Sequence, residues 1–506
     1  MRARAYVALI CGAALSLAFP RLDVAPVAWV ALTPLIVMAA RQSWSRGFML
    51  GLVFGIGFFG ALLYWIAIVG YVAWVILVVL QSVFVAVFGA LWALSSRILG
   101  RWLRVVAPAA LWVACEFARS KIPVGGFTWG ELVQSQHNLT WMLAGAGLAG
   151  GWGISFLIVT CNGALAEAWA TARGLMPSPK TVVATASVAI VALVLPLAAR
   201  PAEATGHPLK VAIVQGNVPR PFPGTVLALE HAIVASHVKL TNSLAAQHPD
   251  LVVWPESSVG IDPRTDPQVS EEIEGAARAV DAPMIVGGDE DVDATHYKVV
   301  AWLLDRSGRL VDTYQKTHLV PFGEYVPGRR FLGWLPLLDQ IPADAVPAND
   351  PKNFSVDGGL VAPVLSYEGD FGSLVRQRIG MGGRLLVVAT NTSTWNSSSA
   401  SAQHVAMSQV RAAENGVWVL HAALSGISAI VAPDGTVVGS TPLFTATTLV
   451  HAVRFADHVT FYARAGDWLP YACAVLAVAA LIAGMAAARK RSPAGATPQD
   501  VAATGI

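Results

Sequence analysis

Three polar side chains of different chemistry each follow a strand-like run in the second half of the chain. They are Glu256, Lys316 and Ser366, and each comes after a short run rich in apolar residues. Because α/β sheets present their sites at the carboxyl ends of strands, we expect them near one sheet edge. A serine hydroxyl is a nucleophile, a carboxylate can take its proton, and an ammonium can hold the oxyanion that develops. The three types together indicate covalent nucleophilic chemistry.

Each of these residues also has a plain structural explanation when it is taken alone. Glu256 is typical of a helix N-cap or a surface glutamate, Lys316 of a surface lysine, and Ser366 of a serine that ends a strand. A lysine in an apolar setting must be paired, or its pKa falls. We therefore predict Glu324 as the partner of Lys316. Only the combination of the segments, in this order along the chain, makes the functional interpretation specific.

The elements that must position these residues alternate between strand-like and helical patterns. This alternation indicates an α/β layered domain, and about 265 residues are enough for one substantial core. The β-branched runs are Leu209–Gln215, Leu251–Trp254, Met284–Gly287, Val299–Leu304, Val361–Ser366, Leu385–Thr390 and Gly426–Val431, and the helical patterns are 227–246, 268–280 and 401–415.

The rest of the chain has the composition of a membrane protein. Of its 506 residues 55% are hydrophobic and 13% are charged, whereas a soluble domain carries about 25% charged residues. About 20 apolar residues cross a bilayer as a helix, and the stretch at 105–118 falls short of that length. The stretch at 5–20 has a signal peptide as its alternative explanation. The apolar stretches lie at 5–20, 24–40, 47–70, 71–98, 105–118, 141–170, 181–199 and 467–488.

Basic residues predict the orientation, because positive loops mark the cytoplasmic side. Five basic clusters fall on one side if all the apolar stretches span, which puts both termini in the cytoplasm and the α/β domain outside. We predict a transmembrane domain at 1–200 with about seven helices, a catalytic domain at 201–465, a C-terminal helix at 466–489 and a disordered tail at 490–506. The clusters are Arg2 and Arg4; Arg41 and Arg46; Arg97, Arg101 and Arg104; Arg173 and Lys180; and Arg489, Lys490 and Arg491.

Several function classes find no support in the sequence. The net charge of +2 gives no indication of nucleic-acid binding. All four cysteines lie inside apolar runs, which argues against a disulfide framework. No cysteine and histidine spacing suggests a metal site, and we predict no cofactor.

Taken together, the motifs resemble those of the apolipoprotein N-acyltransferase family within the nitrilase superfamily. The likeness covers about residues 12–470, and the stretch from His318 to Glu324 is highly specific. It implies an eight-helix transmembrane bundle joined to an extracytoplasmic αββα sandwich. The matching segments are Leu17-Ala18-Phe19-Pro20, Gly126-Phe127-Thr128-Trp129, Val214-Gln215-Gly216-Asn217, Trp254-Pro255-Glu256, Lys316 to Pro327, Tyr367-Glu368, Asn391 to Trp395 and Gln403 to Asn415.

The resemblance implies a function and a location. The family transfers an acyl chain from a phospholipid to the N-terminal diacylglyceryl-cysteine of an apolipoprotein, through a thioester on a cysteine. Both partners would be lipids of the bacterial cytoplasmic membrane, and we expect a monomer. By motif match, the roles are Glu256 as general base, Lys316 as stabiliser of the tetrahedral intermediate, position 366 as acyl carrier, Glu324 and Glu368 as supporting acids, and Tyr367 and Trp395 as substrate contacts.

The chain departs from the family at the acyl carrier, where Ser366 stands in place of cysteine. A hydroxyl is far less acidic than a thiol, whose pKa is near 8.5, so we predict a slow or silent transferase. The serine is an engineered change, a natural divergence or the mark of a retired catalyst. Natural divergence is favoured because Gly369-Asp370-Phe371 also departs from the more apolar family pattern. The alternative functions are a non-catalytic lipoprotein or lipid binder and a membrane-anchored amidase.

Overall fold

The computed structural model describes residues 2–100, 102–172, 204–334 and 336–491, together with residues 187 and 194. Within these ranges, apolar helices from both ends of the chain pack together, and an α/β domain lies between them in sequence. The predicted apolar stretch at 181–199 and the predicted tail at 490–506 fall almost entirely outside the described residues.

Two β-sheets form the α/β domain. The strands are β1 Pro208–Gln215, β2 Leu251–Val253, β3 Met284–Asp293, β4 His296–Leu304, β5 Leu310–Gln315, β6 Asp344–Ala345, β7 Phe354–Val356, β8 Gly359–Leu365, β9 Leu385–Thr390, β10 Trp418–Ala423, β11 Ala429–Val431, β12 Val437–Ser440 and β13 Thr447–Arg454. The first sheet has seven strands in the order β13-β1-β2-β3-β4-β5, with β6 paired to β4, and the second has six in the order β12-β11-β10-β9-β8-β7.

The sheets face each other across one apolar core and carry helices on their outer faces. Ile213 and Val253 of the first sheet pack with Leu365 and Val387 of the second. Because successive strand residues point to opposite faces, the alternate residues pack on helices. Helices Val226–Asn242 and Pro267–Val280 cover the first sheet, and Gly372–Gly380 and Ala400–Asn415 cover the second. The layers therefore run αββα, which confirms the predicted sandwich.

The apolar segments form a helical bundle whose longest members have the length of membrane spans. Among the described residues, four helices are long and apolar enough to cross a bilayer. They are Trp44–Leu62, Tyr71–Ser95, Gly151–Ala170 and Trp468–Ala486. The remaining helices of this part are Arg2–Leu15, Ala28–Ala31, Thr33–Ala39, Leu103–Arg119, Thr140–Leu143 and Ala146–Ala149.

Two predicted spans are interrupted rather than continuous. The stretch at 24–40 divides at Leu32 into two short helices, and Pro34 lies in the first turn of the second. The stretch at 141–170 breaks at Gly150, whose φ of +68° and ψ of −175° form a backbone conformation that is open to glycine and strained for other residues. Local backbone chemistry divides these apolar stretches, which hydropathy alone represents as single spans.

One helix joins the α/β domain to the bundle. Helix Ala400–Asn415 is buried at every residue except Ala402, because it has sheet β7–β12 on one side and bundle segments on the other. Trp65 donates its indole N–H to Gln403 at 3.0 Å. Glu414 accepts the backbone N–H of Gly151 at 2.8 Å and so caps the helix that begins there. The α/β domain is thereby held in a defined position against the bundle.

The first two long spans pack at backbone contact. A methyl group added at Gly51 would lie 2.2 Å from the carbonyl oxygen of Val85, so only glycine fits there. At Gly60, on the same helix, the nearest atom to an added methyl group is 3.9 Å away, on Trp74. The helices Trp44–Leu62 and Tyr71–Ser95 are therefore in close contact at Gly51 and separated at Gly60.

We expect Gly51→Ala to destabilise the bundle by about 1–3 kcal/mol, because the added methyl group forces the two helices apart. Gly60→Ala is the matched control and should leave stability unchanged or slightly raised. Thermal unfolding in detergent, followed by circular dichroism, measures both. Equal melting temperatures for the two variants would contradict this close contact.

Candidate active site

Ser366 lies directly after strand β8, in a strained turn. Its φ is +47°, in the left-handed region that non-glycine residues rarely occupy. Strands β8 and β9 are parallel, with Leu365 opposite Ala389, so the next residues, Ser366 and Thr390, are neighbours. The Thr390 hydroxyl donates to Ser366 Oγ at 3.2 Å. The turn thus presents the serine oxygen at the carboxyl ends of two parallel strands.

Lys316 is fully buried beside two carboxylates. Its Nζ donates to Glu256 Oε1 at 2.8 Å and to Glu324 Oε1 at 2.5 Å, and its side chain is 0% exposed. Burial opposes the charge on Lys316, but the two carboxylates outweigh it and raise its pKa. The ammonium therefore stays protonated at neutral pH, as a fixed positive charge inside the domain.

Glu368 ties the Ser366 turn to the segment that carries Lys316. This carboxylate is 0% exposed and accepts backbone N–H groups of Thr317 at 2.8 Å, His318 at 3.1 Å and Leu365 at 2.9 Å. The Tyr314 hydroxyl also donates to it, at 2.7 Å to Oε2. A carboxylate held by this many donors fixes the two segments relative to each other.

Glu256 closes the arrangement from the other side. Its Oε2 accepts the backbone N–H of Asn391 at 3.1 Å, and Asn391 directly follows Thr390. Hydrogen bonds therefore connect Ser366 to the end of β9, the end of β9 to Glu256, and Glu256 to Lys316. Glu368 connects the segment after Lys316 back to the Ser366 turn. The five predicted residues Glu256, Lys316, Glu324, Ser366 and Glu368 are brought together in this one network.

The two predicted substrate contacts pack against the bundle. Tyr367 is 7% exposed, donates its hydroxyl to the Gly126 carbonyl at 2.7 Å, and stacks at 6.2 Å on Trp129. Trp395 is half-buried and meets Trp65 edge-on at 4.6 Å. Both side chains join the turn region to bundle segments, so the candidate site borders the membrane part of the chain.

Three further residues beside Ser366 were absent from the predicted site. The imidazole Nδ1 of His404 is 3.2 Å from the Thr390 hydroxyl, and its Nε2 is 3.0 Å from Asp370 Oδ1. Asp370 was visible in the sequence, within the segment Gly369-Asp370-Phe371 that departs from the expected apolar motif. No sequence signal pointed to Thr390 or His404, since the parallel pairing of β8 with β9 and the docking of helix Ala400–Asn415 bring them to Ser366.

The arrangement has the parts of a nucleophilic acyl-transfer centre. A hydroxyl lies on a half-buried turn, a buried ammonium offers positive charge for an oxyanion, and a carboxylate beside it can exchange a proton. The site also borders apolar helices, where a lipid chain can lie. This combination favours chemistry on an acyl group over chemistry on a soluble polar substrate.

Removing the buried ammonium should be strongly destabilising. Lys316→Met leaves the carboxylates of Glu256 and Glu324 without a counter-charge, which costs about 3–5 kcal/mol. We expect the apparent melting temperature to fall by on the order of 10 °C. Adding Glu324→Gln should recover part of this loss, because one unpaired charge is then removed.

Lys352→Met is the control for that experiment. Lys352 pairs with Asp312 near the surface, where such a pair contributes about 0–1 kcal/mol. Thermal unfolding in detergent measures the three variants against the unmodified protein. A Lys316→Met variant no less stable than Lys352→Met would contradict a buried, charge-compensating role.

Comparison with known proteins gives two family matches that together cover most of the chain. Residues 11–164 match the apolipoprotein N-acyltransferase N-terminal domain, and residues 210–461 match the carbon-nitrogen hydrolase family. The second match spans both sheets of the α/β domain and includes every predicted site residue.

Relatives that match over more than nine-tenths of this chain are named apolipoprotein N-acyltransferases. The chain is 31% identical to an apolipoprotein N-acyltransferase of Geobacter metallireducens, over 96% of this chain and 95% of that protein. It is 32% identical to one of Mycolicibacterium smegmatis, over 92% and 82%. Among solved structures, an amidase from Nesterenkonia sp. is similar with 17% identity and a TM-score of 0.37, covering 51% of this chain and 92% of that one.

Proposed function

The chain belongs to the apolipoprotein N-acyltransferase family, and we propose that it acylates the N-terminal diacylglyceryl-cysteine of lipoproteins through an ester on Ser366. The observation that carries this proposal is the network that joins Ser366 to the buried Lys316 beside the bundle. A phospholipid is the acyl donor, and the diacylated lipoprotein is the acceptor.

The reaction runs in two halves. In the first, Ser366 Oγ attacks the ester carbonyl of the phospholipid, Glu256 takes the hydroxyl proton, and Lys316 stabilises the oxyanion. The tetrahedral intermediate collapses to the acyl-serine, and Glu256 returns the proton to the departing lysophospholipid oxygen. In the second half, the lipoprotein amine attacks, its proton passes to Glu256 and then to Ser366 Oγ, and the amide leaves.

The supporting residues hold these groups in place. Glu324 keeps Lys316 charged, and Glu368 fixes the Ser366 turn through its backbone donors. Tyr367 and Trp395 pack against bundle segments, which supports a role for both at the border where acyl chains enter. Stabilisation of the site and access of lipid thus depend on different residues.

The α/β domain faces away from the cytoplasm in this proposal. Acceptor and donor are anchored in the outer leaflet, so the site must meet the membrane from outside. The five basic clusters beside the apolar stretches of the sequence support this orientation. So does the packing of Tyr367 and Trp395 on the bundle, because it puts the Ser366 turn next to the apolar helices.

Mass spectrometry of the purified protein tests the acyl carrier. After incubation with phosphatidylethanolamine, we expect an acyl mass increment on the peptide that contains Ser366. Ser366→Cys should form its acyl-enzyme faster by at least about tenfold, because a thiol ionises more easily and is the better nucleophile. Addition of a diacylated lipopeptide should discharge both forms and yield the N-acylated peptide.

Two variants control that measurement. Ser366→Ala removes the acyl carrier and should show no increment on this peptide, and Glu256→Gln removes the base and should show none at matched times. If Ser366→Cys reacts while the serine form stays unmodified at long times, the site is silenced and the proposal is wrong for this chain. If neither form reacts, the chain is a binding protein.

Cysteine labelling tests the orientation. Ser307 lies in an exposed turn of the α/β domain, and Ser45 is exposed in the first turn of the helix Trp44–Leu62. In intact bacterial spheroplasts, a membrane-impermeant maleimide should label Ser307→Cys and not Ser45→Cys. Both should be labelled after lysis, and the reverse pattern in intact cells would contradict the proposed topology.

A further inference from the structure

The residues behind Ser366 form a continuous line of polar groups. Thr390 donates its hydroxyl to Ser366 Oγ at 3.2 Å, and the same hydroxyl oxygen is 3.2 Å from His404 Nδ1. On the other edge of the imidazole, Nε2 is 3.0 Å from Asp370 Oδ1. Both distances from Thr390 are long for hydrogen bonds between these atoms, so a small decrease in either distance would strengthen that hydrogen bond.

Burial raises the pKa of the Asp370 carboxyl, and the positive charges that oppose this are His404 in direct contact and, farther off, Arg411 and Lys316. Its side chain is 0% exposed, and His404 is 3% exposed. Among the described residues, neither carboxylate oxygen of Asp370 accepts a hydrogen bond, and the His404 ring is its ion-pair partner. Since a buried carboxylate must be paired, this contact favours an imidazolium at position 404.

The surroundings of the ring agree with a charged His404. Burial disfavours its charge, but the Asp370 carboxylate outweighs burial, with a smaller contribution from Glu256, and the pKa of His404 is raised. His421 meets the ring edge-on at 4.8 Å, and burial holds the pKa of His421 well below its usual value. Arg411, on the same helix, lies on the Asp370 side and is paired with Glu414.

An imidazolium at position 404 determines which groups donate and which accept in the hydrogen bonds from His404 through Thr390 to Ser366. With both ring nitrogens protonated, Nδ1–H donates to the Thr390 oxygen, and the Thr390 hydroxyl hydrogen is then directed to Ser366 Oγ. Each group donates toward the serine oxygen, and none accepts from it. The hydroxyl proton of Ser366 therefore stays available to Glu256, and the oxygen receives a donor backed by a full positive charge.

We propose that the ion pair of Asp370 with His404 and the hydrogen bonds of Thr390 form a charged chain that stabilises negative charge on Ser366 Oγ and adapts this site to an oxygen nucleophile. Negative charge develops on Oγ twice, when Ser366 loses its proton and when the oxygen is expelled from the acyl-enzyme. A thiolate tolerates that charge by itself, whereas an alkoxide does not. The purpose of this charged chain of side chains rests on the proposed function, while its effect on Ser366 is testable without lipid.

Acylation by p-nitrophenyl octanoate measures that effect directly, because this activated ester acylates serine and cysteine alike. The burst of p-nitrophenolate gives the rate, and mass spectrometry confirms modification at position 366. The full-length protein in detergent is compared with Thr390→Val, Thr390→Ser and Asp370→Asn, each in the serine background and in the Ser366→Cys background.

In the serine background, we expect Thr390→Val and Asp370→Asn to slow acylation on the order of 100-fold, as loss of a charge-stabilising donor does. Thr390→Ser keeps the hydroxyl and should retain most of the rate. In the Ser366→Cys background, Thr390→Val and Asp370→Asn should change the rate by less than about threefold, because sulfur needs less stabilisation.

Thr441→Val is the matched control, since Thr441 is a buried threonine that donates to Gln215 at 2.7 Å in another part of the domain. It should affect both backgrounds equally and slightly. Equal slowing of serine and cysteine forms by Thr390→Val, or no slowing of the serine form, overturns the proposed chain. Failure of the unmodified serine form to react at all overturns it too.

The outcome separates this inference from the proposed function. A serine form that reacts with the activated ester in a Thr390-dependent way, yet never takes an acyl group from phosphatidylethanolamine, supports the charged chain and contradicts lipid transfer. The opposite outcome is that the phospholipid acylates Ser366 at a rate that Thr390→Val leaves unchanged. It supports acyl transfer from lipid and contradicts the charged chain.

Discussion

The buried charge of Lys316 is the constraint around which the rest of the candidate site is arranged. An ammonium without solvent must be matched by carboxylates at short range, and Glu256 and Glu324 supply them from separate segments. Glu256 also accepts a backbone donor at Asn391, which belongs to the end of the second sheet. One charge therefore fixes the relative position of strand ends from both sheets.

The docking of helix Ala400–Asn415 extends this constraint to the membrane part of the chain. A helix buried on nearly all sides must pair its polar side chains, and Gln403 and Gln409 do so with bundle residues. His404, on the same helix, lies 3.2 Å from the Thr390 hydroxyl beside the Ser366 turn. The same element thus orients the domain against the bundle and carries a polar group to the serine.

Much of this site could be predicted because its residues follow strands. Glu256, Lys316 and Ser366 each come after an apolar run, and the ends of such runs converge in a layered α/β domain. The antiparallel pairing of β1 with β13 joins segments far apart in sequence, and no local pattern indicates it. The contact between Ser366 and Thr390 likewise depends on the register of β8 with β9, which hydropathy does not encode.

The helical part shows the limit of hydropathy in a different way. Apolar composition identified the stretches at 24–40 and 141–170, but their interruptions depend on single residues such as Pro34 and Gly150. Within the described residues, only four helices reach the length and hydropathy of a span. Short apolar helices at a domain border are buried by protein rather than by lipid alone. Their apolar composition therefore predicts longer membrane spans than the helices form.

An oxygen at position 366, where the sequence motif predicts sulfur, matters through the groups that contact that atom. In the proposed mechanism, Lys316 serves the carbonyl oxygen and Glu256 the proton, whether the nucleophile is a thiol or a hydroxyl. What differs is the charge left on the nucleophile itself. The polar groups behind Ser366 are the ones placed to answer that difference, and Asp370 lies in the segment Gly369-Asp370-Phe371, where the sequence departs from the expected apolar motif. The serine and the aspartate are therefore best explained together, as two parts of one change in the chemistry of the site.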